Sequence, residues 1–217
     1  MPDRYPGYDV LAKRHTPSWN AQTRRVIDAR LALPAEPRFF SEEEWATLGA
    51  VCARIVPQPK NRPPIPVAAL VDHKLNSGNQ DGYRNAKLPP MGEAWRRGLA
   101  ALDSEARRKF GARFHQLDGA EQDTLLKRAE AGDLDGPAWG DMPPALFFTD
   151  RLLRDILHGY YAHPTAWNEI GFGGPAAPRG YVRMGFDRRD PWEAAEVPPD
   201  ATDREVEKTR RENRRVG

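Results

Sequence analysis

The sequence predicts an all-α protein: a single helical bundle with an irregular, aromatic, Gly- and Pro-rich C-terminal arm and extended termini. Three observations carry this expectation. Apolar residues recur at helical spacing through the middle of the chain, while strand-like alternation is nearly absent. Capping and stop residues bracket those periodic stretches. The 217 residues include 21 Pro and 18 Gly, with 39% hydrophobic residues and a mean hydropathy of −0.74, the average expected of a core ringed by polar, proline-rich segments. A chain of this length buries enough surface to fold around one core.

The clearest helix begins after Ser41, whose hydroxyl can cap the backbone while Glu44 reaches back to it; Glu42 and Glu43 add charge at the positive helix end. Trp45, Leu48, Val51, Cys52 and Ile55 then form one buried stripe, and Pro57 stops it. Cys52 lies on that stripe and reads as a packing thiol rather than a nucleophile. The same logic places helices at roughly 19–31, at 67–77 before Gly78, and at 90–109 with Trp95, Leu99 and Leu102 inward. Asp118 and Glu121 repeat the capping box ahead of Leu125 and Leu126, and Gly132 supplies a left-handed end. Gly49 and Gly98 fall inside helices, where each costs about 1 kcal/mol relative to alanine, so each is a candidate for a close helix–helix approach.

The most apolar helix covers 143–161. Phe147, Phe148, Leu152, Leu153, Ile156, Leu157, Tyr160 and Tyr161 nearly encircle its axis, which requires cover on several sides, with room for a contribution from another polypeptide. Beyond Pro164 the glycines and prolines forbid a long helix, yet rings are dense in Trp167–Pro175, Pro178–Tyr181 and Phe186–Trp192. An arm over 165–197 is expected, pinned by Trp167, Phe172, Tyr181, Phe186 and Trp192 into grooves on its own bundle or on another protein. Residues 198–217 carry alternating charge and no pattern that builds a core, and residues 1–18, with Pro2, Pro6 and Pro17, read as an extended arm. The expected division is therefore 1–18, a bundle over 19–164, an arm over 165–197 and a charged tail over 198–217.

Composition excludes several functions. Lys and Arg number 33 against 31 Asp and Glu, and the resulting +2 provides no broad field for gripping nucleic acid or an anionic membrane. One cysteine rules out a disulfide framework, a thiolate metal cluster and c-type haem attachment. No stretch approaches the roughly 18 apolar residues of a membrane span, so no direct membrane insertion is expected. The first residues lack the apolar core of a signal peptide, and Arg24-Arg25 is not followed by the hydrophobic run of a twin-arginine signal.

Catalytic motifs are equally sparse. Gly171-x-Gly173-x-x-Ala176 matches a loose dinucleotide fingerprint, but Pro175, Pro178 and Gly180 forbid the helix whose N-terminus would hold pyrophosphate, so the segment reads as a structural or interface turn. Four serines occur and none sits in a nucleophile elbow. Asp155, His158, His163 and Glu169 form one conceivable metal set and the basis of an alternative reading, a stand-alone metal enzyme; the ordinary reading is histidines hydrogen-bonded at the edge of an aromatic cluster. An interaction protein with an unrelated partner is the other alternative. No catalytic, cofactor-binding or metal-binding residue is assigned.

Two motifs carry a family resemblance. Phe39-Phe40-Ser41-x-x-Glu44-Trp45-x-x-Leu48-x-x-x-Cys52-x-Arg54-Ile55-Val56-Pro57 resembles the opening helix of the gluconate 2-dehydrogenase subunit 3 family. Tyr160-Tyr161-x-His163-Pro164-x-x-Trp167-x-x-x-Gly171-Phe172-x-Gly174-Pro175 is similar to its closing aromatic element, and the likeness extends over about 38–181. The resemblance implies a non-catalytic, helical small subunit, without cofactor of its own, bound to a large flavoprotein of the glucose-methanol-choline family that holds FAD and oxidises a sugar or sugar acid. It implies support of that partner's folding, stability or export, and it allows a cytochrome c as a third component. The partner-facing candidates are Tyr160, Tyr161, His163, Trp167, Asn168, Phe172, Pro175, Tyr181, Arg183, Phe186 and Trp192. Many family members begin with a twin-arginine signal and this sequence does not, which implies either a cytoplasmic complex or co-export to the periplasm with a signal-bearing partner.

Overall fold

Helices begin where the chain offers a side-chain acceptor to their first free N–H groups. In the computed structural model, which describes residues 3–60, 62–78, 80–178, 180–183, 185–186 and 188–215, Asn20 accepts from Thr23 ahead of α1 (Ala21–Leu31). Ser41 accepts from Glu44 ahead of α2 (Glu42–Ile55), and Asp118 from Glu121 ahead of α5 (Gly119–Ala131); in both, the glutamate returns the bond and closes the capping box. Helices α3 (Val67–Asn76) and α4 (Met91–Phe110) start after Pro66 and Pro90 instead. Gly111 and Gly132, both left-handed, end α4 and α5. Helix α6 (Pro144–Phe147), a π-helical turn (Phe148–Leu153) and α7 (Arg154–Ala162) follow one another without a break, then come α8 (Pro164–Ile170) and α9 (Asp203–Asn213). Among the described residues there is no strand, only an isolated bridge between Trp19 and Ala177, and no helix is long and apolar enough to cross a membrane. Arg179, Met184 and Asp187 of the arm, Met1, Pro2, Val216 and Gly217 lie outside the described residues.

The chain forms two compact units, 34–160 and 1–33 with 161–217. Sequence patterning draws the edges of the bundle at 19 and 164 instead.

In the unit 34–160 the core joins Leu48 and Val51 of α2, Val71 of α3, Trp95, Leu99 and Leu102 of α4, Leu125 of α5 and the inner face of the late helix. Rings run through it edge to face: Phe40 to Trp95 at 6.1 Å, then Trp95 to Phe147 at 5.8 Å. Of the two helix-interior glycines, Gly98 makes a close approach and Gly49 does not. A Cβ on Gly98 would overlap the Phe147 ring, whereas one on Gly49 would meet nothing within 4 Å. Phe147, Phe148, Leu152, Ile156 and Tyr160 are buried within the chain itself, so most of the late helix finds its cover there.

Buried carboxylates organise the polar part of this unit, Asp72 and Asp155 among them. Asp72 accepts the backbone N–H groups of Arg38, Phe39 and Phe40 at 2.9, 3.0 and 3.0 Å, fixing the approach to α2. Asp155 accepts from Trp95 Nε1 at 2.9 Å and from Lys74 Nζ at 3.1 Å, while Arg151 and Arg154 bond Asp81. Cys52 is buried as its position predicts, and burial pushes its thiol up to about 12.

The unit formed by 1–33 and 161–217 has its own core of Tyr8, Val10, Trp19, Ile27 and Trp167, edged by Tyr5, Leu11, Trp192 and Ala194. The expectation of an extended arm over 1–18 needs correction. Asp9 caps a 3₁₀ turn, Val10–His15, and Tyr8 and Val10 are buried. Two or three core residues in a proline-rich stretch are too few to reveal a period. The charged tail likewise contains the 11-residue α9, opened by a Thr202–Glu205 capping box. Its one buried residue is Asn213, so it has no apolar stripe for a sequence pattern to show.

Candidate functional site

The eleven candidate partner-facing residues separate by where the fold puts them. Tyr160 is buried and its hydroxyl accepts from Arg62 Nη2 at 3.1 Å. His163 is buried at the start of α8, where Nδ1 accepts the Thr165 N–H at 3.3 Å. Trp167 enters the core of the unit 1–33/161–217 and donates Nε1–H to the Tyr161 carbonyl at 2.6 Å. Asn168 Oδ1 accepts the Val10 N–H at 2.8 Å, and half-buried Trp192 accepts the Tyr8 hydroxyl proton on its carbonyl at 3.3 Å. Burial and the nearby Asp9 and Glu193 carboxylates raise the Tyr8 pKa, which keeps that hydroxyl protonated. Pro175 borders a shallow groove lined by Thr23, Val26, Ile27 and Arg30 of α1. Tyr160, His163, Trp167, Asn168 and Trp192 thus make contacts within this chain.

Tyr161, Phe172, Tyr181, Arg183 and Phe186 face solvent. Phe172 packs edge-on to Trp167 at 5.6 Å, and Tyr181 stacks on Phe172 at 6.5 Å and 23°. Exposure then rises along the arm, from 40% at Phe172 to 68% at Tyr181 and 96% at Phe186. Arg183 reaches back to Glu193 at 2.8 Å. Ring density marked the arm as a whole but did not separate Trp167, which anchors it, from Phe186, which projects. Val182 and Ile170, at 79% and 48% exposure, are also apolar and open to solvent, and ring density does not mark them because neither is aromatic.

The glycines in and beside the loose dinucleotide fingerprint serve packing. A Cβ on Gly171, the first glycine of the motif, would lie 2.5 Å from the Tyr5 ring, and one on the neighbouring Gly174 2.9 Å from Trp167; both have positive φ. The Gly173 carbonyl accepts from the buried Lys13. Among the described residues no helix starts directly after it, so the geometry is that of a turn wrapped on aromatic rings. As for a metal, the Asp155 carboxylate is occupied by Lys74 and Trp95, His158 is exposed, and among the described residues no three His, Cys, Asp or Glu side chains converge.

The arrangement is thus a helical chain with an exposed aromatic strip. The profile of gluconate 2-dehydrogenase subunit 3 matches residues 42–174. The chain belongs to the gluconate 2-dehydrogenase subunit 3 family. No curated protein and no solved structure matches it. The family match runs from the first residue of α2 to Gly174, the glycine that packs on Trp167. For a member of the gluconate 2-dehydrogenase subunit 3 family, Tyr181, Phe186 and α9 are therefore features beyond the matched region.

Proposed function

We propose that this chain is a non-catalytic accessory subunit that docks on a flavin-dependent sugar or sugar-acid dehydrogenase and supports that partner's folding, stability or export. The partner, a glucose-methanol-choline family flavoprotein, holds the FAD and performs the oxidation; a cytochrome c accepts electrons in those complexes that include one. The complex works in the cytoplasm, or in the periplasm after co-export with a signal-bearing partner.

One observation carries this reading: Phe172 and Tyr181, stacked on each other, and the nearby Val182 and Phe186 of the same arm expose apolar and aromatic surface to solvent in a chain whose other large rings mostly find cover. Exposed aromatics beside an arginine are the residue types that dominate protein–protein binding energy. Family membership supplies the kind of partner, a dehydrogenase subunit.

Co-expression with the candidate flavoprotein followed by pull-down tests the reading. The expected result is co-purification, and a drop in soluble, flavinated large subunit when this chain is left out. A large subunit that is soluble, flavinated and active alone overturns it.

A further inference from the structure

We infer that α9 is a brace for the docking arm: by fixing the returning limb 189–197, it keeps the exposed Phe186 ring in place for the partner. The inference rests on the docking reading above.

The returning limb is held from two sides. On one side α9 grips it through the Arg189–Glu212 ion pair and through Asn213. That buried amide donates to the carbonyls of Ala195 and Pro6, both at 3.0 Å, and accepts the Ala195 N–H at 2.6 Å. On the other side lies the N-terminal segment. The Val197 N–H donates to the Arg4 carbonyl at 2.8 Å, Arg4 pairs with Glu196, and the Tyr8 hydroxyl holds the Trp192 carbonyl. Gly7 lets α9 come close, since a Cβ there would lie 2.8 Å from Arg210 Cγ.

The outgoing limb is fixed by the stacking of Tyr181 on Phe172. Between the two limbs, Arg183 bonds Glu193, and the Arg188 N–H closes a turn on the Gly185 carbonyl at 3.3 Å. Phe186, 96% exposed, sits at the far end of this frame.

Helix α9 buries only Asn213, so core building does not explain it. Its polar grip on the limb does. A loop already fixed in its bound shape loses less conformational freedom on association, and the gain is read mainly as slower dissociation.

Two measurements on the full chain test the brace: the rate of chymotrypsin cutting after Phe186, and the rate at which the co-expressed flavoprotein is released from immobilised chain. They are made on Glu212→Ala, Asn213→Ala and, as a control on an exposed part of α9, Lys208→Ala. Glu212 is exposed, so its variant keeps the test valid if Asn213→Ala disturbs folding. Glu212→Ala and Asn213→Ala are expected to raise both rates by roughly tenfold at unchanged helix content, with Lys208→Ala matching the parent chain. Unchanged cutting in both variants overturns the brace. Faster cutting with unchanged release overturns its role in docking. If the parent chain fails to bind the flavoprotein, the docking reading falls, while the cutting rates still decide whether α9 holds the limb.

Discussion

The ring of Phe147 fills the place where a side chain at position 98 would begin: a Cβ on Gly98 would lie 2.1 Å from Phe147 Cζ. Trp95 packs edge-on to the same ring, so Phe147 has little room to retreat. Gly98→Ala is therefore expected to destabilise the protein by about 2 kcal/mol despite the better helix propensity of alanine. Gly49→Ala, placed in open space on α2, is expected to stabilise it by about 0.5–1 kcal/mol. Urea unfolding of the two variants checks the opposite signs.

Asp72 satisfies three backbone donors at once. Asp72→Ala leaves them without their acceptor and is expected to cost about 2–4 kcal/mol, with Asp72→Asn milder because one oxygen remains. Hydrogen exchange at Arg38, Phe39 and Phe40 reports the effect locally. Unchanged protection in Asp72→Ala would show that the carboxylate does not hold this segment.

The Cys52 thiol, raised to about 12 by burial, is protonated in the folded protein at ordinary pH. A chromogenic disulfide reagent at pH 8 is expected to react with it only after denaturation. A group whose folded pKa is raised holds its proton where the unfolded chain has lost it, so stability falls as pH rises from about 9 towards 12. Cys52→Ala removes that slope from the alkaline stability profile.

At the acid end the sign reverses. Hydrogen bonds from Arg14 and Arg54 hold the Asp28 and Asp123 carboxyls below their ordinary values. Their contribution is present above the usual carboxylate range and is lost as pH falls through it towards the lowered values. Asp123→Asn is expected to flatten the acid limb slightly, and high salt to shrink the difference, because both pairs are partly exposed. Melting temperature against pH at two ionic strengths measures it.

Phe186 is almost fully exposed and Tyr181 is held mainly by its stacking on Phe172, so truncating Phe186 is expected to change stability by less than about 0.5 kcal/mol and truncating Tyr181 by less than about 1 kcal/mol. In docking the same truncations are expected to cost about 2 kcal/mol or more. Thermal melts and competition binding to the flavoprotein separate the two effects. Loss of stability without loss of binding would place these rings in the fold instead.

Much of the unit 34–160 was legible because its helices carry paired signals. Ser41 with Glu44 and Asp118 with Glu121 mark starts, Gly132 marks an end, and Trp95, Leu99 and Leu102 mark a buried face. What escaped was structure held by polar or backbone contacts, which leave no periodicity. Asp72 acts on a segment more than thirty residues away in sequence, and α9 is secured by Asn213 and the Arg189–Glu212 ion pair. In the late helix and the arm, composition identified rings but not directions. Tyr160 and Tyr161 are neighbours on one helix, yet one is buried and the other exposed, and the winding that decides between them cannot be read from residue types.

That winding depends on the π-helical turn at Phe148–Leu153, which takes one residue more per turn than the α-helix on either side. Each α-helical residue advances the chain by about 100°. Removing one residue from this turn would restore regular winding and swing Ile156 and Tyr160 out of phase with Phe147 by roughly that angle. The number of residues in that short stretch is thus a phase setting for the helix that follows, and a deletion there would do more harm than any conservative replacement at the same positions.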